Sequence, residues 1–235
     1  MKGREWYQAD TVAEAYEDKR FSGGGRLIDR REKGAVLDAV APFEDRRVLE
    51  IACGTGRFSV MLAERGADVT GLDISGPMLA QAREKARAAG VARTVEFMRG
   101  DAGRLPFPDD AFDVAFAVRF FHLADTPETF LAEMRRVTSE AILFDTFNAR
   151  SARSTYNWLL PMGSRLYTPG EVRGLIEDAG LELREATHDF VFPYGLYREL
   201  PGSVAGPIRS LDDTLLRTPV GRWLASVSYW SVDVP

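Results

Sequence analysis

The stretch Arg47-Val48-Leu49-Glu50-Ile51-Ala52-Cys53-Gly54-Thr55-Gly56 decides the fold. Its first half reads as a short buried strand. Its second half brings two glycines close together, which permit a tight turn where side chains would resist one. A helix is expected directly afterwards, because Phe58, Met61 and Leu62 recur at i, i+3 and i+4 as one apolar stripe, with Gly66 where a helix commonly ends.

The same alternation continues downstream. Ala67-Asp68-Val69-Thr70-Gly71-Leu72 reads as a second strand closed by Asp73. Ser75 then caps a helix with Pro77 in its first turn, Met78, Leu79, Ala82 and Ala86 facing inward, and Gly90 at its end. Residues 94–98 are a third expected strand and 112–118 a fourth, separated by the turn-rich Leu105-Pro106-Phe107-Pro108-Asp109-Asp110. Thr126-Pro127 opens a helix carrying Phe130, Leu131, Met134 and Val137, and residues 141–145 form a fifth strand. Strands alternating with helices of this length imply right-handed crossovers, hence an α/β, doubly wound, mostly parallel sheet with helices on both faces. In such a sheet the ligand binds at the carboxyl ends of the strands.

After Asn148 the pattern breaks. Residues 149–167 hold aromatics, Pro161 and Gly163 without a period and read as a small lid insertion. Thr168-Pro169-Gly170-Glu171 is a capping box before a helix with Val172, Leu175, Ile176 and Ala179 inward and Gly180 at its end. Strands near 183–192 and 224–234, with a helix or loop-rich stretch around 204–216, complete the sheet. The 235 residues, 45% hydrophobic, suffice for one sizeable core. The expected plan is a single domain over residues 1–235: a helical cap at 1–45, a ligand-binding core at 46–148, the lid at 149–167, and a substrate side at 168–235.

Charge and composition exclude several classes. A net charge of −5, with no local run of Lys and Arg, argues against nucleic acid as a partner. No apolar run approaches the length of a membrane span and the opening residues lack a signal-peptide core, so a cytoplasmic chain without a membrane partner is expected. One cysteine and two histidines leave little material for a metal site, and none is expected.

The glycine turn and Asp73 together suit a nucleoside: glycines let the backbone approach the ligand, and a carboxylate roughly 20 residues on accepts from ribose hydroxyls. The dinucleotide fingerprint is incomplete, since its third glycine position is Ser59. A pyrophosphate is therefore not indicated, and a nicotinamide-dependent oxidoreductase is a weaker reading.

Four blocks then resemble a known family. VLEIACGTGRFSVMLAERGADVTGLDIS resembles the glycine-rich loop and ribose strand of the class I S-adenosylmethionine-dependent methyltransferases, and GDAGRLPFPDDAFDVAFA their adenine loop and fourth strand. HLAD-TPETFLAEMRRV and YTPGEVRGLIEDAGL are similar to later helices of that family. Within it the chain is similar to the ubiquinone/menaquinone C-methyltransferases and related small-molecule enzymes. One residue departs from the pattern: Ala52 stands where members commonly carry the first glycine of the loop.

The resemblance implies a seven-stranded sheet with its last strand reversed, S-adenosylmethionine as cofactor, S-adenosylhomocysteine as product, and a small-molecule acceptor, while the aromatics of the lid segment favour an aromatic or apolar one. It implies that Gly54 and Gly56 lie beside the methionine part, with Ala52 a cofactor-binding residue of the same loop and Glu50 orienting that loop. Asp73 would accept from both ribose hydroxyls, Ile74 and Met78 border the adenine, Asp101 accept from its amino group, and the Ala102 N–H meet a ring nitrogen. The Val118 carbonyl would receive the methionine amino group, and Tyr16, Arg26 or Arg57 would reach its carboxylate. Such a protein would act as a monomer or homodimer. A non-catalytic binding subunit acting with a partner is the rival outside enzymes.

Methyl transfer needs alignment and exclusion of water more than a protein nucleophile. Where the acceptor must lose a proton, His122 is the first candidate base and His188 the second. Cys53 reads as a small residue packed in the loop, Arg119 as either an anion ligand or an ion-pair partner, and the aromatics at 190–197 as core or pocket wall.

Overall fold

The computed structural model describes residues 23–155 and 164–235. Helix α1 (Gly25–Val40) precedes β1 (Arg47–Ile51), α2 (Arg57–Ala63), β2 (Asp68–Asp73), α3 (Gly76–Ala88) and β3 (Val95–Arg99). The chain continues through β4 (Phe112–Ala117), a 3₁₀ turn at Phe121–Leu123, α4 (Pro127–Val137) and β5 (Thr138–Phe147). It closes with α5 (Pro169–Asp178), β6 (Glu182–Asp189), α6 (Tyr194–Glu199), α7 (Gly202–Leu216), α8 (Pro219–Leu224) and β7 (Val227–Asp233).

The seven strands form one sheet in the order β3-β2-β1-β4-β5-β7-β6. β1 pairs in parallel with β2 and β4, while β7 runs antiparallel to both β5 and β6, so the expected reversed last strand is present. Side chains alternate across the sheet, as a pleated strand requires. Val48, Val69, Val114 and Phe116 join α1, α2 and α3 in one core, whereas Leu49, Ile51, Ala115 and Ala117 join α4 and α5 in the other. Both faces are therefore covered, which leaves the strand ends as the place where a ligand can reach the sheet.

The expected caps are made. Ser75 accepts from the Met78 N–H at 3.3 Å, and Thr168 and Glu171 form the reciprocal capping box. Three expectations need correction. β5 is ten residues long rather than five, because β4 and β7 satisfy its backbone along both edges. α2 is buried from Phe58 through Ala63 instead of along one stripe, because α1 and α3 close over it while it lies on the sheet. Between β6 and β7, each shorter than expected, the chain folds into three helices. Buried Asp212 of α7 accepts from the Val191 and Phe192 N–H groups at 2.9 and 3.1 Å and from the Tyr197 hydroxyl at 2.6 Å. Arg31 of α1 reaches Asp189 at 2.6 Å. With their polar ends so held, Phe190, Tyr194 and Tyr197 are core residues, the rings of Tyr194 and Tyr197 standing edge-on to Phe190.

The segment after β5 returns to its own base. Ala149 N–H donates to the Tyr167 carbonyl at 2.9 Å and Tyr167 N–H to the Phe147 carbonyl at 2.8 Å. The expected lid aromatics Tyr156 and Trp158 lie outside the described residues, as does Tyr16. Among the described residues no helix is long and apolar enough to cross a membrane, and no group of three potential ligands could hold a metal ion.

Candidate cofactor site at the carboxyl edge of the sheet

β1, β2 and β4 end around a cleft enclosing about 840 Å³ of solvent-open space. Ala52, Gly54, Asp73, Ile74, Met78, Asp101, Ala102 and Val118 all line it, brought together from four segments. Leu72, Gly100, Arg119, Phe120 and Leu123 complete the wall.

The loop after β1 is built by left-handed residues. Ala52, Gly54 and Gly56 have φ of 56°, 54° and 71°. At Gly54 a β-carbon would meet nothing within 4 Å, so the absent side chain leaves a bare backbone facing the cleft. Gly56 serves the interior instead: a β-carbon there would lie 2.8 Å from the Phe97 ring and 2.9 Å from Ala82. Gly56 thus lets α2 start hard against α3 and β3, and it is not among the residues of the cleft wall.

Two buried acids hold this loop. Asp73 accepts from the Gly54 N–H through Oδ2 and from the Ser75 N–H through Oδ1, both at 2.8 Å. Burial pushes its carboxyl above the usual range, against the pull of those N–H groups. Each oxygen retains acceptor capacity toward a ligand. Glu50 lies behind the loop and accepts from both the N–H of Ser59, at 2.8 Å, and its hydroxyl. Burial pushes Glu50 up to about 7, while Ser59 and Arg57 pull the other way. Ser59, at the position of the absent third glycine, thereby ties the first turn of α2 to the end of β1.

The far wall is apolar. Met78 is buried, Ile74 stands 36% exposed at the rim, and Val118 and Ala102 are buried. Asp101 is exposed, with Oδ1 accepting from the Gly103 N–H at 2.8 Å. Glycines and small residues on one side, a carboxylate at one end and aliphatic walls at the other fit a nucleoside bearing a short amino-acid arm.

Other candidates fall elsewhere. Arg26 is exposed on the first turn of α1 and does not line the cleft. Arg57 reaches Asp29 at 2.7 Å and also Glu32, so its charge is engaged. His122 is buried with its ring 4.9 Å from that of Phe147 and is not in the cleft wall. The 3₁₀ period explains this, since three residues per turn bring Phe120 and Leu123 to one side and His122 to another. His188 lies on β6, its Nδ1 2.8 Å from the Ser228 hydroxyl, away from the cleft. Cys53 is buried and its thiol is pushed well up by burial, which suits packing and not attack.

Sequence reasoning offered Arg119 as an ion-pair partner but missed the buried polar chain it joins beside the cleft. Arg119, φ 66°, donates its N–H to Asp145 at 2.6 Å and a guanidinium N–H to Glu32 at 3.0 Å, and it lies 4.9 Å over the Tyr194 ring. Burial alone would raise Glu32, but Arg57 and Arg119 more than reverse this and hold it below the usual range. Asp145 is pushed up to about 7 by burial. One signal was available: Ile28, Glu32, Ala35 and Val36 share a face of α1, so an acid sits where an apolar residue belongs.

A model of the family described as "Methyltransferase domain" matches residues 48–141. The chain is 45% identical over 112 residues to the demethylmenaquinone methyltransferase of Thermus thermophilus, covering 46% of this chain and 50% of that protein. It is 31% identical over 209 residues to the ubiquinone/menaquinone biosynthesis C-methyltransferase of Methylobacterium nodulans, covering 72% and 79%. The chain spans about half the length of several of the curated relatives it matches. In fold it is similar to magnesium protoporphyrin IX methyltransferase from Synechocystis with bound S-adenosylhomocysteine, at a TM-score of 0.72, 14% identity and coverage of 99% and 98%. These likenesses give no support to a nicotinamide enzyme or a non-catalytic subunit. The chain belongs to the class I S-adenosylmethionine-dependent methyltransferases and is similar, within them, to those of the ubiquinone/menaquinone type.

Proposed function

We propose that this protein transfers a methyl group from S-adenosylmethionine to a small, largely apolar acceptor. The observation that carries this reading is the convergence of Gly54, Asp73, Ile74, Met78, Ala102 and Val118 on one cleft. In this assignment Asp73 receives the ribose hydroxyls, Ile74 and Met78 flank the adenine, Asp101 takes its amino group and the Ala102 N–H its ring nitrogen. Gly54 gives the amino-acid arm room, the Val118 carbonyl receives its amino group, and Glu50 keeps the loop in place through Ser59.

When bound, S-adenosylmethionine supplies an electrophilic methyl on a sulfonium. The protein's part is to align the acceptor and exclude water. Phe120 and Leu123 offer an apolar wall for the acceptor beside Val118, and Arg119, paired with Glu32, is the cationic residue of that wall. The names of the relatives, which act in menaquinone and ubiquinone formation, favour a lipophilic ring acceptor. We place the protein in the cytoplasm, as a monomer or homodimer.

Calorimetric titration of the purified chain with S-adenosylmethionine, S-adenosylhomocysteine and NAD, followed by methyl transfer to a hydroquinone bearing an apolar tail, tests this. Saturable binding of the first two ligands with product formation is expected. Binding of NAD alone overturns the reading, and so does cofactor binding without methyl transfer to any apolar phenol or quinol.

A further inference from the structure

Helix α8 displays what a helix in a protein's surface normally hides. Val220 is 65% exposed and Trp223 54% exposed, the two most exposed large apolar side chains among the described residues. Around them the surface is cationic although the chain as a whole carries −5. The Arg150 guanidinium lies 5.5 Å over the Trp223 ring. Arg217 and Arg222 flank Val220 in the chain, and Arg222 shares a surface hollow with Arg173, Leu216 and His188. Arg150, Arg173, Arg217 and Arg222 are exposed, and none has an ion-pair partner among the described residues. Glu185 is the acid of that hollow, and it accepts a hydrogen bond from Thr187 at 3.1 Å.

The position of this patch bears on its use. Asn148, directly after β5, donates through Nδ2 to the Trp223 and Ala225 carbonyls, each at 2.9 Å. The patch is thereby fastened to the carboxyl edge of the sheet, the edge on which the cofactor cleft opens. An exposed tryptophan and valine on one short helix, with Arg150 over the indole and Arg217 and Arg222 near them in the chain, match the boundary layer of a bilayer: the indole and valine enter the headgroup region while the guanidinium groups meet lipid phosphates.

We propose that α8 and its arginines form a docking surface for an anionic lipid bilayer, which holds the cleft-bearing edge of the protein against the membrane. The contact is peripheral and crosses nothing, so it narrows the sequence expectation of no membrane partner to the absence of a span. It stands apart from the methyl-transfer assignment, because it concerns where the protein sits and not what the cleft does.

Co-sedimentation of the full chain with phosphatidylglycerol-containing vesicles and with pure phosphatidylcholine vesicles tests it. Binding to the anionic vesicles that exceeds binding to neutral ones and falls with added salt is expected. Trp223→Ser should abolish most of it, and Arg222→Glu should lower the partition coefficient by more than about fivefold, since each arginine near an anionic surface contributes about 1 kcal/mol. Circular dichroism melts of both variants establish that they fold, and the salt dependence of the unaltered protein decides the matter if one does not. Equal partition onto neutral and anionic vesicles, or anionic binding indifferent to both substitutions, overturns the proposal. So does concentration-dependent self-association that Trp223→Ser removes while vesicles go unbound, which would make this face a contact between copies of the chain.

Discussion

Asp145 at the end of β5 accepts the backbone N–H of Arg119 at 2.6 Å, and this bond stands beside a left-handed Arg119 whose side chain spans from the cleft wall to Glu32. A residue with a β-carbon costs about 1–2 kcal/mol in that backbone conformation. The buried acid offsets the cost by satisfying the N–H that the turn exposes to the interior. Asp145→Ala should therefore leave a buried donor without its acceptor and lower stability by about 1–3 kcal/mol. Asp145→Asn, which keeps an acceptor oxygen, should lose clearly less, and urea unfolding of the two variants compares them directly.

Glu32 is fully buried between Arg57 and Arg119. Removing one member of a buried ionic group strands the others, at a cost of about 3–5 kcal/mol. Glu32→Ala is expected to unfold at markedly lower urea concentration than the parent. If the midpoint hardly moves, the network contributes nothing net to folding.

Glu50 sets a pH dependence whose sign follows from its raised proton affinity. Its folded value of about 7 lies above the ordinary 4.5, so its contribution to stability is fully present below about 4.5 and is lost as pH rises through about 7. The loss is on the order of 3 kcal/mol. Asp145 adds a loss of the same sign, while Glu32 acts oppositely because its carboxyl is held low. Glu50→Gln should flatten the decline between pH 5 and pH 8 in denaturant titrations. A variant with the parent's slope would show that Glu50 ionises freely.

Ala52 occupies a left-handed position with φ of 56° where glycine would be unstrained. Ala52→Gly should raise stability by about 1 kcal/mol, the relief of strain exceeding the extra chain entropy of glycine. Thermal unfolding measures the gain. Unchanged or lower stability would mean that the methyl group makes packing contacts worth as much as the strain.

Asp73→Ala should weaken S-adenosylmethionine binding by about 1.5–3 kcal/mol for each charge-assisted bond lost. Because Asp73 also holds the Gly54 and Ser75 N–H groups, melting of the free variant must accompany the titration. Weak binding by a variant that melts like the parent locates the effect at the ligand, and full affinity would remove Asp73 from the ribose assignment.

The cleft-wall residues from Ile74 to Val118 were named through the resemblance to a family, whereas the alternation of strands and helices, the glycine turn after β1 and the acid at the end of β2 were legible from the residues alone. These are local matters: periodicity sets each element, and in a parallel sheet every strand end of one polarity arrives at one edge. The reversed β7 and the cofactor came from the resemblance of four short blocks to a family, not from periodicity. Which way side chains near that edge face was set by packing. It turned His122 against Phe147 while Phe120 and Leu123 entered the cleft, set Gly56 against Phe97, and brought Glu32, Arg57, Arg119 and Asp145 together from four separate segments. Buried ionic contacts between residues as far apart as Glu32 and Arg119 carry no period and no motif, because their spacing is set by helices packing on a sheet and not by the chain between them.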